Sequence, residues 1–309
     1  MTYAEAKAAI RGPVTPIPTP FKADDRYAVD HDSLARYVDW MVGQGAPVML
    51  TTVGTSRFNL LTTDEMLAVN ETVVRAVNGR AMTIASGPPD GSTRDNIRFA
   101  QHAAKIGAGA YIAFFPERFY GEEPIFEFFK TVSEESGIGV MIHEMDIRNG
   151  LAGGPYTYSL DLLDRLTDLP GVIGMKEECC NAEYSYRIIR RVSHKAALIG
   201  WGSMKRFLRD HHAGARAYLM GIGNFVPKIE LAFYDAIMNR RYDEAEKLVR
   251  EHEEEYFQLA VSLGWHRALK ETIHIFGHLT RGERPPFGEI TDAQRAQLEA
   301  FVAARGWRK

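Results

Sequence analysis

Cysteine is nearly absent from this chain of 309 residues: Cys179 and Cys180 are its only two, and they are neighbours. Adjacent cysteines rarely pair and a disulfide framework needs more of them, so a stapled, secreted fold is excluded and a reducing compartment is expected. No Cys/His spacing of the zinc type occurs, and the helical pair His274 and His278 lacks the glutamate of an HExxH site, so no metal is expected. No stretch of 18 uninterrupted apolar residues is found, and "MTYAEAKAAIRG" has no apolar core of the signal-peptide kind. A soluble cytoplasmic protein is therefore expected, with no membrane partner. The formal net charge is -3 and no dense Lys/Arg stripe occurs, which removes the electrostatic footprint of a nucleic-acid binder. "GPPDGS" and "GIGNF" fall short of the dinucleotide and phosphate-loop patterns, so no nucleotide cofactor is expected.

What the chain does have is apolar material, 45% of its residues, enough for a large core. Apolar or β-branched runs recur with amphipathic helical segments between them, the signature of βα units on a parallel sheet. They are "GPVTPIPTPF" (12–21), "APVMLTTV" (46–53), "RAMTIASG" (80–87), "GAYIAFFP" (109–116), "GIGVMIHE" (137–144), "GVIGMKE" (171–177), "AALIGWG" (196–202) and "ARAYLMGIG" (215–223). Eight strands, each followed by a helix, predict a closed (β/α)8 barrel over residues 1–235. The remainder, 236–309, keeps helical spacing without strand signal and predicts a C-terminal helical extension. Within it the acidic run "REHEEEY" (250–256) reads as a solvated helix face.

In such barrels reactive groups sit at the C-terminal ends of strands and in the loops that follow. The sixth run ends at Lys176, an amine among apolar side chains, where lost solvation favours the neutral, nucleophilic form. A lysine that snorkels from the barrel mouth or pairs with Glu177 fits the same segment. Strand alternation places Glu178 on the side of Lys176 and Glu177 on the other, and Glu178 then either moves protons or holds the amine. After the second run, Gly54 permits a tight turn in which Thr55 and Ser56 form a cradle for a carboxylate. The fifth run ends at His143, with Arg148 in the following loop, a pair suited to proton transfer and anion binding.

With these residues placed in one barrel, the chain resembles the dihydrodipicolinate synthase/N-acetylneuraminate lyase family of class I aldolases. The resemblance runs from "TPIPTPF" to "PPFGEITDAQRAQLEAFV" and includes "STRDNIRFAQHAAKIGAGAYIAFFP", "GVIGMKE", "RYDEAEKL" and "ALKETI". It implies a barrel with a C-terminal helical domain, assembled as a homotetramer (a dimer of dimers). It also implies a lysine, here Lys176, that condenses with the ketone of pyruvate or another 2-oxo acid, without a metal. This chain departs from the pattern in three places. The family's Gly-x-x-Gly-Glu turn reads Val53-Gly54-Thr55-Ser56-Arg57, and the strand-five tyrosine falls at His143, although Arg148 keeps the family arginine's position. A second family tyrosine has Tyr120 as its nearest counterpart.

These departures argue against an ordinary dihydrodipicolinate synthase. The resemblance then implies a small-molecule substrate and, first, a Schiff-base dehydratase of a 2-keto-3-deoxy sugar acid. In that reading Lys176 forms the imine, Glu178 or His143 carries protons, and Thr55, Ser56, Arg148, Gly202, Ser203 and Tyr120 line the substrate. A pyruvate-releasing aldolase is the alternative, and a non-catalytic 2-oxo-acid sensor on the same fold is a third reading.

Overall fold

A computed structural model describes residues 1–145, 147–148, 153–179 and 181–308, with the side chains of 147 and 148 left aside. Eight parallel strands close into a barrel in which each strand pairs with its neighbours in sequence. They are Gly12–Pro16, Val48–Leu50, Met82–Ser86, Ala110–Ala113, Val140–Glu144, Val172–Glu177, Ala197–Gly200 and Ala217–Leu219. Each expected run thus contains one strand, but most runs extend past the strand's end into the loops that crown the barrel; the fifth and sixth end with their strands at Glu144 and Glu177 and are long only at the start. A short antiparallel pair, Ile147–Arg148 with Pro155–Tyr156, was not anticipated.

The helices start where local chemistry provides a cap. Thr62 and Ser92 each accept the N–H three residues on, while Glu65 and Asp95 return the bond, closing capping boxes on Thr63–Val77 and Thr93–Ile106. Apolar faces on these helices pack against the outward residues of the strands.

Inside the barrel a separate cluster, including Val14, Leu50, Ile84, Ile112, Met141, Ile173 and Ile199, fills the lumen. The N-terminal helix Tyr3–Ala9 closes the bottom by adding Ala6 to this cluster, with Ile10 immediately after it. The top is left to polar residues and to the extension.

One irregularity decides what reaches that top. Val140 pairs with Val172, but the next pair is Met141 with Gly174, so Ile173 is an extra residue in the sixth strand. Because side chains alternate in and out with a period of two, this bulge reverses the facing of everything beyond it. Met141 faces the lumen, so Lys176, the partner of His143, faces it too. Gly174 allows the close approach that the bulge brings, since a Cβ there would lie 2.7 Å from the Ala197 carbonyl oxygen.

The helix after the eighth strand, Pro227–Met238, crosses position 235, and the extension continues as Tyr242–Leu248, a π-helical stretch Val249–Glu253, Glu254–Ser262, Trp265–Ile275 and Asp292–Ala304. No helix among the described residues is long and apolar enough to cross a membrane.

Candidate active site

At the C-terminal end of the barrel, Lys176 is almost fully buried and its Nζ lies 2.9 Å from Nε2 of His143. The same amine donates to Oε2 of Glu178, and that oxygen lies 3.1 Å from His143 Nε2. Two groups from adjacent strands and a third just past the end of one of them therefore meet at one point. Glu177 turns the other way, as alternation requires, and is held by Arg206 at 2.7 Å and by the Ser185 hydroxyl at 2.8 Å.

The surroundings of the three groups set their protonation. Burial, reinforced by the Lys176 charge, brings the His143 imidazole down to about 4, so the ring is neutral near pH 7. Its other nitrogen, Nδ1, has no hydrogen-bond partner among the described residues. Burial pushes the Glu178 carboxyl up, but Lys176 and then His143 outweigh it and hold the group well below the ordinary carboxylate range. Glu178 is thus an anion, and its side chain keeps 42% of its accessible surface.

That exposed part opens into a cavity of about 350 Å³ between the barrel mouth and the extension. Thr55, Glu178, Gly202 and Ser203 line its near side, with Trp201 beside them. Thr55 belongs to the 3₁₀ turn Gly54–Ser56, and its hydroxyl has no partner among the described residues. The expected cradle is narrower than the sequence reading has it. Both donors of Ser56 are spent inside the protein, the amide on the Val53 carbonyl at 2.8 Å and the hydroxyl on the Ile17 carbonyl. Ser203 sits at φ 120°, in the region that glycine favours, and its hydroxyl accepts the Arg206 N–H at 3.1 Å.

Tyr120 is 62% exposed and does not line this cavity. Arg148 lies in the short antiparallel pair, with its side chain outside the described part. Among the described residues no group of three or more His, Cys, Asp or Glu is arranged to hold a metal. His274 Nδ1 instead meets the Leu279 carbonyl at 2.7 Å, and the His278 ring stacks on Trp40 at 3.7 Å.

The roof was missed by the sequence reading. His266, whose imidazole burial brings down to about 4, lines the cavity and comes within 4.0 Å of a Cβ position at Gly54. Trp265, Tyr256 and Glu253 stand beside it. Glu253 corrects the reading of "REHEEEY" as solvated: it is buried, accepts the N–H groups of Met204 and Lys205 at 2.6 and 2.8 Å, and so caps the helix Met204–Ala213. Burial pushes its carboxyl up to about 7 against those two donors. The available signal was "GWHRALK" in the extension, where a Gly-Trp-His start precedes an otherwise amphipathic helix.

The pattern of the Dihydrodipicolinate synthetase family matches residues 9–305. The chain belongs to that family. It is a lyase of the kind the family comprises. A probable 5-dehydro-4-deoxyglucarate dehydratase from Acinetobacter baumannii is 24% identical over 285 residues, 89% of each chain. A 4-hydroxy-tetrahydrodipicolinate synthase from Nitrobacter hamburgensis is 27% identical over 77% of each chain. Among solved structures, a dihydrodipicolinate synthase from Aquifex aeolicus superposes with a TM-score of 0.85 at 20% identity, covering 96% of this chain and 98% of that one. An N-acetylneuraminate lyase from Fusobacterium nucleatum gives 0.85 at 16% identity, covering 96% of this chain and 99% of that one. At these identities the structural likeness is one of fold.

Against the family pattern, the departures form connected sets. Arg57, set against the glutamate of the family's turn, has a left-handed backbone, φ 61°. Its guanidinium is buried on Glu283, at 2.9 and 3.3 Å, with Phe287 stacked over it at 4.2 Å. Phe58, the next residue, packs on Phe114 at 5.2 Å, and Phe114 packs on His143 at 4.4 Å. The apolar wall behind the imidazole and the changed turn are thus one structure.

Proposed function

We propose that the protein condenses Lys176 with the ketone of a 4-hydroxy-2-oxo acid and eliminates the C4 hydroxyl, acting as a Schiff-base dehydratase. The 2-keto-3-deoxy sugar acids of the sequence reading are members of that substrate class, and the name of the Acinetobacter relative points to the same reaction. The observation that carries the reading is the contact of one amine with both His143 and Glu178, with Glu178 exposed to the cavity.

The chemistry follows from those positions. Loss of a proton from Lys176 to Glu178 frees the lone pair, which attacks C2, and departure of water leaves the iminium. The iminium draws electrons from C3, and Glu178, back as a carboxylate, removes a C3 proton to give the enamine. The enamine expels the C4 oxygen, which leaves as water with the proton held by Glu178. A second water then hydrolyses the conjugated iminium, restoring Lys176 and releasing an unsaturated 2-oxo acid or its tautomer. His143 is neutral and is placed to donate to the carboxylate or to accept from the amine, though not both at once through Nε2. In this reading the Thr55 hydroxyl binds the substrate carboxylate.

Borohydride reduction in the presence of pyruvate tests the Schiff base. A mass adduct that maps to Lys176 and disappears in Lys176→Ala is expected; no adduct with any 2-oxo acid would favour the sensor reading. Product analysis on 4-hydroxy-2-oxo acids tests the elimination. Pyruvate plus an aldehyde would show that the same enamine arises by C3–C4 cleavage, which is the aldolase reading. We further propose a cytoplasmic homotetramer, the assembly implied by the family resemblance; a light-scattering mass near four chains is the expected result.

A further inference from the structure

The closing seam of the barrel, where the first strand pairs with the last, carries another cavity at the end opposite Lys176. Gly12 and Ala217 are register partners there, and the Gly12 N–H donates to the Arg216 carbonyl at 2.8 Å. Arg11 and Arg216 immediately precede that pair, so each strand of the seam is entered through an arginine. Both line the cavity, about 400 Å³ in volume, together with Lys7, Ser193, His194 and Gly214. Tyr234, whose hydroxyl donates to the Arg216 carbonyl at 3.2 Å, lies in the field of both guanidinium groups, which keeps their charges in one neighbourhood.

These cations are left over from the pairing that occupies others in the chain, such as Arg26, Arg80 and Arg165, each on a carboxylate. No aspartate or glutamate is among the described lining residues. Arg11, His194 and Arg216 make no side-chain hydrogen bond or ion pair among the described residues. Lys7 gives one proton to the Lys195 carbonyl at 3.0 Å and keeps two. Asp164 and Asp168, which Lys195 brings toward this region, are spent on that lysine at 3.2 and 2.7 Å. Helix ends offset only part of the charge. Tyr3–Ala9, Ala182–Val192 and Met204–Ala213 end at the cavity, and each C-terminus brings roughly half a negative charge. Against the full charges of Lys7, Arg11 and Arg216, a surplus of roughly 1.5 positive charges remains, with His194 beside it.

We propose that this cavity binds a phosphorylated small molecule, whose phosphate bridges Arg11 and Arg216 across the seam of the barrel. A phosphate monoester carries about 1.5 to 2 negative charges near pH 7, which matches the surplus. Its oxygens accept from two guanidinium forks at once, and the Lys7 ammonium has protons to spare. Phosphate fills only part of about 400 Å³, so the body of a small ester has room beside it. A polyanionic surface is a poorer match, because the cations line a concave space on a chain of formal net charge -3. The site is independent of the Schiff-base chemistry, which lies at the other end of the strands. A ligand held by both arginines ties the first strand to the last, so binding is expected to stabilise the closed barrel.

Ribose 5-phosphate is the probe, with ribose as its uncharged counterpart and the ionic strength held constant with chloride. The ester is expected to bind in titration calorimetry and to raise the thermal denaturation midpoint, inorganic phosphate to compete with it, and ribose to do neither. Arg11→Gln combined with Arg216→Gln, at two exposed positions, is expected to weaken binding about tenfold or more. Arg94→Gln combined with Arg98→Gln removes the same charge from the exposed side of the helix Thr93–Ile106 and should leave binding unchanged. Equal weakening in the two double variants would reduce the effect to net charge and overturn the site. So would the absence of binding by the wild type at millimolar ester, or an ester that inorganic phosphate fails to displace.

Discussion

His143 and Lys176 are register partners on adjacent parallel strands, with Nε2 and Nζ 2.9 Å apart, and Glu178 closes the triangle from two residues further on. A tyrosine at position 143 would bring a hydroxyl that both donates and accepts; the neutral imidazole nitrogen does one or the other. In the proposed mechanism proton traffic therefore passes to Glu178. Glu178→Gln is expected to retain borohydride trapping with pyruvate while kcat for elimination falls roughly 10²- to 10⁴-fold, the span of general acid–base catalysis. His143→Gln should cost less. The reverse order, measured by steady-state kinetics, would transfer the main proton role to His143.

In the proposed reaction Lys176 serves chemistry rather than stability. Its amine sits above the apolar lumen, where a charge is poorly solvated. Lys176→Met keeps the length of the side chain and removes the buried amine, while Glu178 remains in contact with water and His143. The variant is expected to lose all trapping yet unfold in urea within about 1 kcal/mol of the wild type, or above it. A loss of several kcal/mol would show that the amine is structural.

Acid should weaken the fold through His143. The folded imidazole titrates at about 4, below its ordinary 6.5, so between those values the unfolded chain binds a proton that the folded chain refuses. Stability conferred by the neutral ring is complete above the ordinary value, declines as the pH falls from 6.5 toward about 4, and levels off below. For this buried residue the full effect is on the order of 3 kcal/mol, at about 1.4 kcal/mol per unit. Glu178 acts in the same direction but lower, where its depressed carboxyl finally protonates. Denaturation midpoints taken near pH 7 and about pH 4.5 should differ more for the wild type than for His143→Gln. Equal differences would remove His143 from the account.

Arg57 tests whether the altered turn is locked by charge. It occupies a left-handed conformation costing roughly 1 kcal/mol for a residue with a Cβ, and its two bonds to Glu283 hold it there beside Lys270, 3.2 Å from the same carboxylate. Arg57→Ala keeps the backbone cost and breaks the buried pair, for an expected loss of about 3 to 5 kcal/mol. Arg57→Gly breaks the pair but relieves the backbone, and should be more stable than the alanine variant by about 1 kcal/mol. Chemical denaturation that ranks the two the other way would show that the turn is not strained.

Legibility differed from residue to residue for physical reasons. Thr62 with Glu65 and Ser92 with Asp95 mark helix starts, and Gly107 a helix end, within a few residues of sequence because capping is local. Lys176 stood out because an amine ending an apolar run conflicts with its surroundings. Ser56 was misjudged because the commitment of its hydroxyl to the Ile17 carbonyl joins parts of the chain 39 residues apart. The roof was missed for the same kind of reason, since nothing near Trp265 or His266 in sequence says that their helix lies over the barrel mouth.

By itself the sequence determined the alternation of strands and helices, the side of the sixth strand shared by Lys176 and Glu178, and the departure of the Gly54 turn and His143 from the family pattern. Those features follow from backbone period, local capping and residue type, which act over a few neighbours. Only the tertiary structure decided that Lys176 faces inward, because the extra residue Ile173 is defined by what it lacks opposite it on the fifth strand. The tertiary structure likewise brought Glu253, Trp265 and His266 to one cavity with Glu178. Closing the barrel and folding the extension across it joins groups whose distance in sequence carries no information about their distance in space.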